Sequence, residues 1–172
     1  IAVSAIQLTT AVAAIANDGI LMRPYLVQAI TDQDGRLLKN TTPKQIRRTI
    51  SARTARIVRG MMATVVDEGG TGVNAALERY QVGGKTGTAQ KIEPNGRYSR
   101  KRFIASFVGL APVDHPKVVV LVVIDEPRKR HYGGTVAAPA FKRITQAALS
   151  YLDVSPGEKS NQMLSMVRKA GT

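Results

Sequence analysis

Apolar residues first recur at helical spacing: Leu8, Ala11, Val12, Ile15 and Ala16 lie on one stripe. Ser4, with Gln7 three positions later, reads as a capping box, and Gly19 ends the run. The small residues Ala5, Ala13 and Ala14 suggest a closely packed, internal helix. Arg23-Pro24 opens an extended piece, Tyr25 to Ile30. Asp32-Gln33-Asp34-Gly35 turns it, and Arg36 to Lys39 returns as a hairpin partner. Residues 40–44 form a polar link. Ser51 then caps a second helix, with Ile57, Val58, Met61, Met62, Val65 and Val66 on its apolar face. Arg53, Arg56, Arg59 and Thr64 are expected opposite. Asp67 to Gly72 is a glycine-rich turn, and because it follows a helix rather than a strand it is not a phosphate loop.

Three strands are predicted next: Gln81 to Lys91, Arg102 to Ala111, and Lys117 to Asp125. The first connection is an arm turning at Pro94-Asn95-Gly96, the second is Pro112 to Pro116, and both imply antiparallel neighbours. The third strand is apolar without alternation, so both its faces should be covered by helices. Val136 to Leu152 reads as a final helix, with Pro139 in its first turn and Phe141, Ile144, Ala148 and Leu152 as its buried stripe. The expected fold class is α+β: an antiparallel sheet covered by helices, over residues 1–156. Residues 157–172 are expected to be a flexible tail.

The chain has 172 residues, enough for one core. It has no cysteine, which excludes disulfides and thiolate metal sites and suits an oxidising compartment. No metal or other cofactor is expected. The longest apolar run, Val118 to Ile124, is too short to span a bilayer, and the start at Ile1 without methionine reads as a boundary. The formal charge of +13 points to anionic surroundings. The basic-aromatic runs 97–103 and 128–132 sit in no nucleic-acid module and read as solvated loop tips, so no nucleic-acid partner is expected.

The stretch Gly84-Lys85-Thr86-Gly87-Thr88-Ala89-Gln90-Lys91 carries the chemistry. In an extended strand Thr86, Thr88 and Gln90 share one face while Lys85 and Lys91 take the other. Two hydroxyls beside an ammonium form a receptor for a carboxylate. Gly87 lets a ligand backbone approach, and an edge strand would offer free N–H and C=O groups to an extended peptide. Lys-Thr-Gly is also the third signature of the penicillin-recognising serine acyltransferases. Tyr80 to Gln90, Asn95-Gly96-Arg97-Tyr98, Phe107 to Pro112, Tyr132-Gly133-Gly134 and Ala138 to Phe141 extend the match. Over residues 1–156 the chain resembles the C-terminal part of the transpeptidase domain of class B penicillin-binding proteins, most of all the septal, division-specific D,D-transpeptidases (FtsI type).

The resemblance implies catalytic roles for Lys85, which would hold the serine of a Ser-x-Asn motif, and for Thr88, whose backbone N–H would be one of two oxyanion donors. Thr86, Gly87, Thr88, Tyr132 and Gly133 would bind substrate, with Tyr132 walling the cleft. Where relatives often place a second aromatic, this sequence has His131. The implied ligands are the peptidoglycan stem peptide and β-lactam antibiotics. The implied partners are an upstream segment of the same protein and membrane proteins of the division machinery. The parent would sit in the bacterial inner membrane with this domain in the periplasm. No serine here has lysine three residues later or asparagine two later, so the nucleophile is expected outside this chain, which alone should be inactive. His115, in a turn, reads as solvated. Two rivals stand beside this reading: an elongation-type transpeptidase or β-lactamase-like hydrolase, and a non-catalytic basic module binding an anionic polymer.

Overall fold

A computed structural model describes residues 2–156. The expected tail at 157–172 lies outside them. The centre is a three-stranded antiparallel sheet in the order β5-β6-β7: β5 (Gly83–Ile92), β6 (Tyr98–Ala111) and β7 (Val118–Asp125). The sequence placed the start of β6 at Arg102, but pairing of Ile92 with Tyr98 carries the arm into the ladder. A register shift between Gln90 and Ile92 absorbs the mismatch.

Side chains of β7 divide by parity, as the absence of alternation implied. Val118, Val120, Val122 and Ile124 pack with Phe107, Phe141 and Leu149. Val119 and Leu121 pack on the other face with Val12, Val108 and Leu110. Helices therefore cover both faces, α1 (Ala5–Ala16) on one and α4 (Ala138–Tyr151) on the other. The helix α2 (Ala52–Thr64) lies against β5. A single-turn α3 (Gly133–Val136) touches β5 and β6 just before α4. Pro139 sits at the start of α4, where its missing N–H costs no helical bond.

The capping box of α1 is present: Ser4 Oγ accepts from Gln7 N, and Gln7 Oε1 accepts from Ser4 N. Only Val12 and Ala14 of this helix are buried, however, so it is a surface helix rather than an internal one. Its other side borders an open cleft of about 470 Å³, lined by Ile6, Ala11, Leu21 and Pro24 among others. The hairpin forms from β2 (Ala29–Thr31) and β3 (Leu37–Asn40). Unforeseen is a second small sheet, in which β1 (Ile20–Met22) pairs antiparallel with β4 (Gln45–Arg48). Unlike the hairpin, whose turn Asp32 to Gly35 is legible, β1 and β4 are separated by residues 23–44 with no turn signal joining them.

Two helical faces are rotated from expectation. In α2 the buried residues are Ala55, Arg59 and Ala63, while Ile57 and Met61 are exposed. The cause is Arg59, only 5% exposed, which donates to Asp18 Oδ1 at 2.9 Å and to the carbonyl of Ile15 at 3.1 Å. A cation placed at the C-terminal end of α1 satisfies a carbonyl the helix leaves free and meets its dipole. In α4 the buried stripe is Ala138, Phe141, Thr145 and Leu149, and Ile144 and Leu152 are exposed. The observed stripe includes a polar residue, Thr145. At this position it is fully buried, and its Oγ1 has no partner among the described residues.

The Arg59 bond holds the Asp18 carboxyl below the usual carboxylate range, outweighing the opposing effect of burial. A carboxylate with a lowered folded pKa stabilises the fold above its unfolded pKa, and that contribution disappears as pH falls through the folded value. Asp18→Asn should therefore unfold at lower temperature than the parent chain near neutral pH. The gap should close as pH drops below about 4, the ordinary aspartate value. Thermal unfolding at a series of pH values checks this; a gap independent of pH would remove the ion pair from the account.

Candidate active site

On β5, Lys85 pairs in register with Val108, Thr86 with Phe107, Gly87 with Ser106 and Thr88 with Ala105. Thr86 and Thr88 thus share the face of Phe107, and Lys85 takes the other, as strand alternation requires. Among the described residues β5 has a neighbour on one side only. It is an edge strand, and half of its backbone groups face away from the sheet.

Three segments far apart in sequence converge on this strand. From the glycine-rich turn after α2, Thr71 Oγ1 lies 3.1 Å from Thr86 Oγ1. From the loop before α3, Gly133 N–H donates to Thr88 Oγ1 at 3.2 Å. Asn74 Nδ2 ties the two loops together by donating to the Gly134 carbonyl at 2.9 Å. Gly133 is buried against β5 and β6, where a Cβ would overlap the carbonyl oxygens of Ser106 and Gly87. A Cβ at Gly87 would likewise run into Ser106 Oγ. Lys85 is exposed, and its Nζ donates to the carbonyl of Thr86 at 2.7 Å.

Charges around the strand are sorted. Lys91 Nζ meets Glu126 at 2.7 Å and Asp125 at 3.0 Å. Those bonds, to Glu126 first, raise its pKa and neutralise its charge locally. Arg102 is likewise held by Glu93, which raises the Arg102 pKa and lowers that of Glu93. Lys85 makes no ion pair among the described residues, so its charge remains available to an anion.

Tyr132 is exposed beside the strand. His131 stacks on Phe103 with ring centroids 4.2 Å apart and 13° between planes, and touches Tyr132 at 4.5 Å. The three rings form a row with the imidazole in the middle. His115 sits in a turn far along the chain from this group, beside Asp18 and Arg59 around a separate small cleft. The structure brings Lys85, Thr86, Gly87, Thr88, Tyr132 and Gly133 near one another. Sequence reasoning missed Thr71, Asn74 and Ser106. The one available signal was a hydroxyl set between glycines, Gly70-Thr71-Gly72, where backbone can come close to another strand.

The family model for the penicillin binding protein transpeptidase domain matches residues 1–146. The probable peptidoglycan D,D-transpeptidase PenA of Neisseria meningitidis is 41% identical over 155 residues, covering 89% of this chain and 24% of that protein. Stage V sporulation protein D of Bacillus subtilis is 41% identical over 165 residues, covering 95% of this chain and 25% of the relative. Penicillin binding protein 3 of Mycobacterium tuberculosis, solved in complex with aztreonam, superposes with a TM-score of 0.80 at 36% identity, over 90% of this chain and 36% of that one. The chain belongs to the penicillin-binding protein transpeptidase family. It spans about a quarter of the length of the curated relatives it matches.

Gly133→Ala should loosen the junction of α3 with β5, because two backbone carbonyls cannot yield to a methyl group. A loss of about 2 kcal/mol or more is expected. Gly60→Ala is the control: it lies within α2, a Cβ there meets nothing within 4 Å, and stability should rise by about 0.5–1 kcal/mol. Chemical denaturation midpoints compare the two; equal effects would mean that close approach does not govern Gly133.

Proposed function

We propose that residues 1–156 are the C-terminal part of the transpeptidase domain of a class B penicillin-binding protein. The parent enzyme cross-links septal peptidoglycan as a D,D-transpeptidase. The observation that carries this reading is the strand, at the edge of its sheet among the described residues, on which Lys85, with no ion pair among them, adjoins two hydroxyls, Thr86 and Thr88, in a chain of that family. Those groups suit a terminal carboxylate, which stem peptides and penicillins share. The open backbone edge suits the extended peptide that bears it.

In this mechanism a serine from the upstream segment attacks the carbonyl of the penultimate D-Ala. The C–N bond to the terminal D-Ala breaks, that residue leaves as the amine, and a serine ester remains. The amine of a second stem then attacks the ester, forming the new amide and returning the proton to the serine. Lys85 holds positive potential beside the nucleophile, and the Thr88 N–H is one of two donors to the oxyanion. Thr86 and Thr88 bind the carboxylate, Gly87 admits the ligand backbone, and Tyr132 and Gly133 bound the cleft. No described helix is long and apolar enough to cross a membrane. In this reading an anchor elsewhere in the parent holds the domain at the periplasmic face of the inner membrane, within reach of membrane proteins of the division machinery.

Lys85→Ala in the full-length enzyme should slow acylation by a penicillin by a factor of 100 or more, about 3 kcal/mol of transition-state stabilisation. Stopped-flow acylation kinetics measure it, and a rate within tenfold of the parent would take Lys85 out of the chemistry. The present chain, incubated with excess penicillin, should gain no mass. Its hydroxyls lack an activating base and stay protonated at neutral pH. A stoichiometric, site-specific adduct in the intact-mass spectrum would relocate the nucleophile to this segment.

A further inference from the structure

We propose that Thr71 is a positioning residue for the carboxylate receptor: it donates its hydroxyl proton to Thr86 and so commits the Thr86 proton to the bound anion. This rests on the reading of Thr86 and Thr88 as carboxylate ligands. A hydroxyl has one proton and two acceptor sites. The Oγ1 of Thr88 already accepts from Gly133 N–H, and because an amide nitrogen only donates, the Thr88 proton is left for a ligand. Thr86 has no such amide. Its only side-chain hydrogen bond among the described residues is to Thr71, at 3.1 Å, and either hydroxyl can be the donor. If Thr86 donated, its proton would be spent on Thr71 and its lone pairs would face the anion, which is repulsive. If Thr71 donates, the two hydroxyls form a chain polarised toward the anion, in which each bond strengthens the next.

Thr71 is held well enough to impose that direction. Gly72 N–H donates to the Val65 carbonyl at 2.8 Å, just after it. A Cβ at Gly134 would overlap the Thr71 carbonyl, so the two backbones are in contact. The hydroxyl itself is exposed and lies beside the strand face that carries Thr86 and Thr88.

The test uses the full-length enzyme, a penicillin, and the methyl ester of the same penicillin. Acylation rate constants are measured for Thr71→Val, Thr86→Val and the double variant, with thermal unfolding alongside. Thr71→Val should slow the free acid about tenfold, the worth of one hydrogen bond to a charged array. It should leave the ester's rate within twofold of the parent's, and the double variant should be no slower than Thr86→Val alone. Should Thr71→Val fail to slow the free acid, slow acid and ester equally, or add fully to Thr86→Val, the proposal is overturned. The acid-to-ester ratio decides even if Thr71→Val lowers the unfolding temperature. Because Thr86→Val reports on the receptor alone, a silent Thr86→Val would overturn the receptor reading as well. A damaging Thr86→Val beside a silent Thr71→Val would overturn only the chain.

Discussion

Two phenyl rings, and the glycines that make room for them, fix where the Lys85–Thr88 strand lies. Phe107 on β6 and Phe141 on α4 are fully buried and meet with centroids 4.8 Å apart. The Phe107 ring reaches across to β5 at Gly84, where any Cβ would strike it. The Phe141 ring lies over Gly109, whose Cβ would approach it to 2.7 Å. Phe107 thus fills side-chain space on the neighbouring strand, and Phe141 fills it on the sheet that α4 covers. Burying them contributes on the order of 2–3 kcal/mol apiece and, more to the point, leaves β5 one position relative to α4. Because α3 runs straight into α4, the Gly133 amide is delivered to Thr88 by the same packing.

The ionic groups add selectivity rather than strength. Exposed pairs such as Lys91 with Asp125 and Glu126 contribute little to stability. Their effect is to assign the few carboxylates of this basic chain to particular cations. Glu93, Asp125 and Glu126 are gathered around Lys91 and Arg102 at the distal end of the β5–β6 ladder. Lys85, at the proximal end, receives none of them. Lys85 thereby keeps its positive charge at the end of the strand that carries Thr86 and Thr88.

Strong periodicity was readable, and side chains that contradict their own polarity were not. Long strands and capped helices followed from pattern: Ser4 and Ser51 begin helices as expected, and β7 packs against core residues on both faces as its unbroken apolar run required. Arg59, expected on the polar face, misled because burial of a polar residue depends on a partner that only the tertiary structure supplies. Arg59 finds the end of α1, 41 residues away from it at Asp18. Thr71 was invisible for a related reason. Nothing in Gly70-Thr71-Gly72 says which strand it will touch, and the contact with Thr86 exists only because α2 returns the chain to β5.

A strand kept open for a ligand is open to every other chain as well. The outer edge of β5 is, in shape, a template on which a second sheet could grow. Several of its features act against that outcome. Lys85 and Lys91 place charges along the strand, Gly83, Gly84 and Gly87 weaken its intrinsic taste for sheet, and the irregularity at Gln90–Ile92 bends the far end away from a flat edge. Each is a known defence against aggregation, and two of them, Lys85 and Gly87, are also residues a carboxylate-bearing peptide would meet. In the proposed reading, discouraging unwanted neighbours and admitting the wanted one draw on the same residues, so substitutions made here to test ligand binding should be screened for solubility in the same experiment.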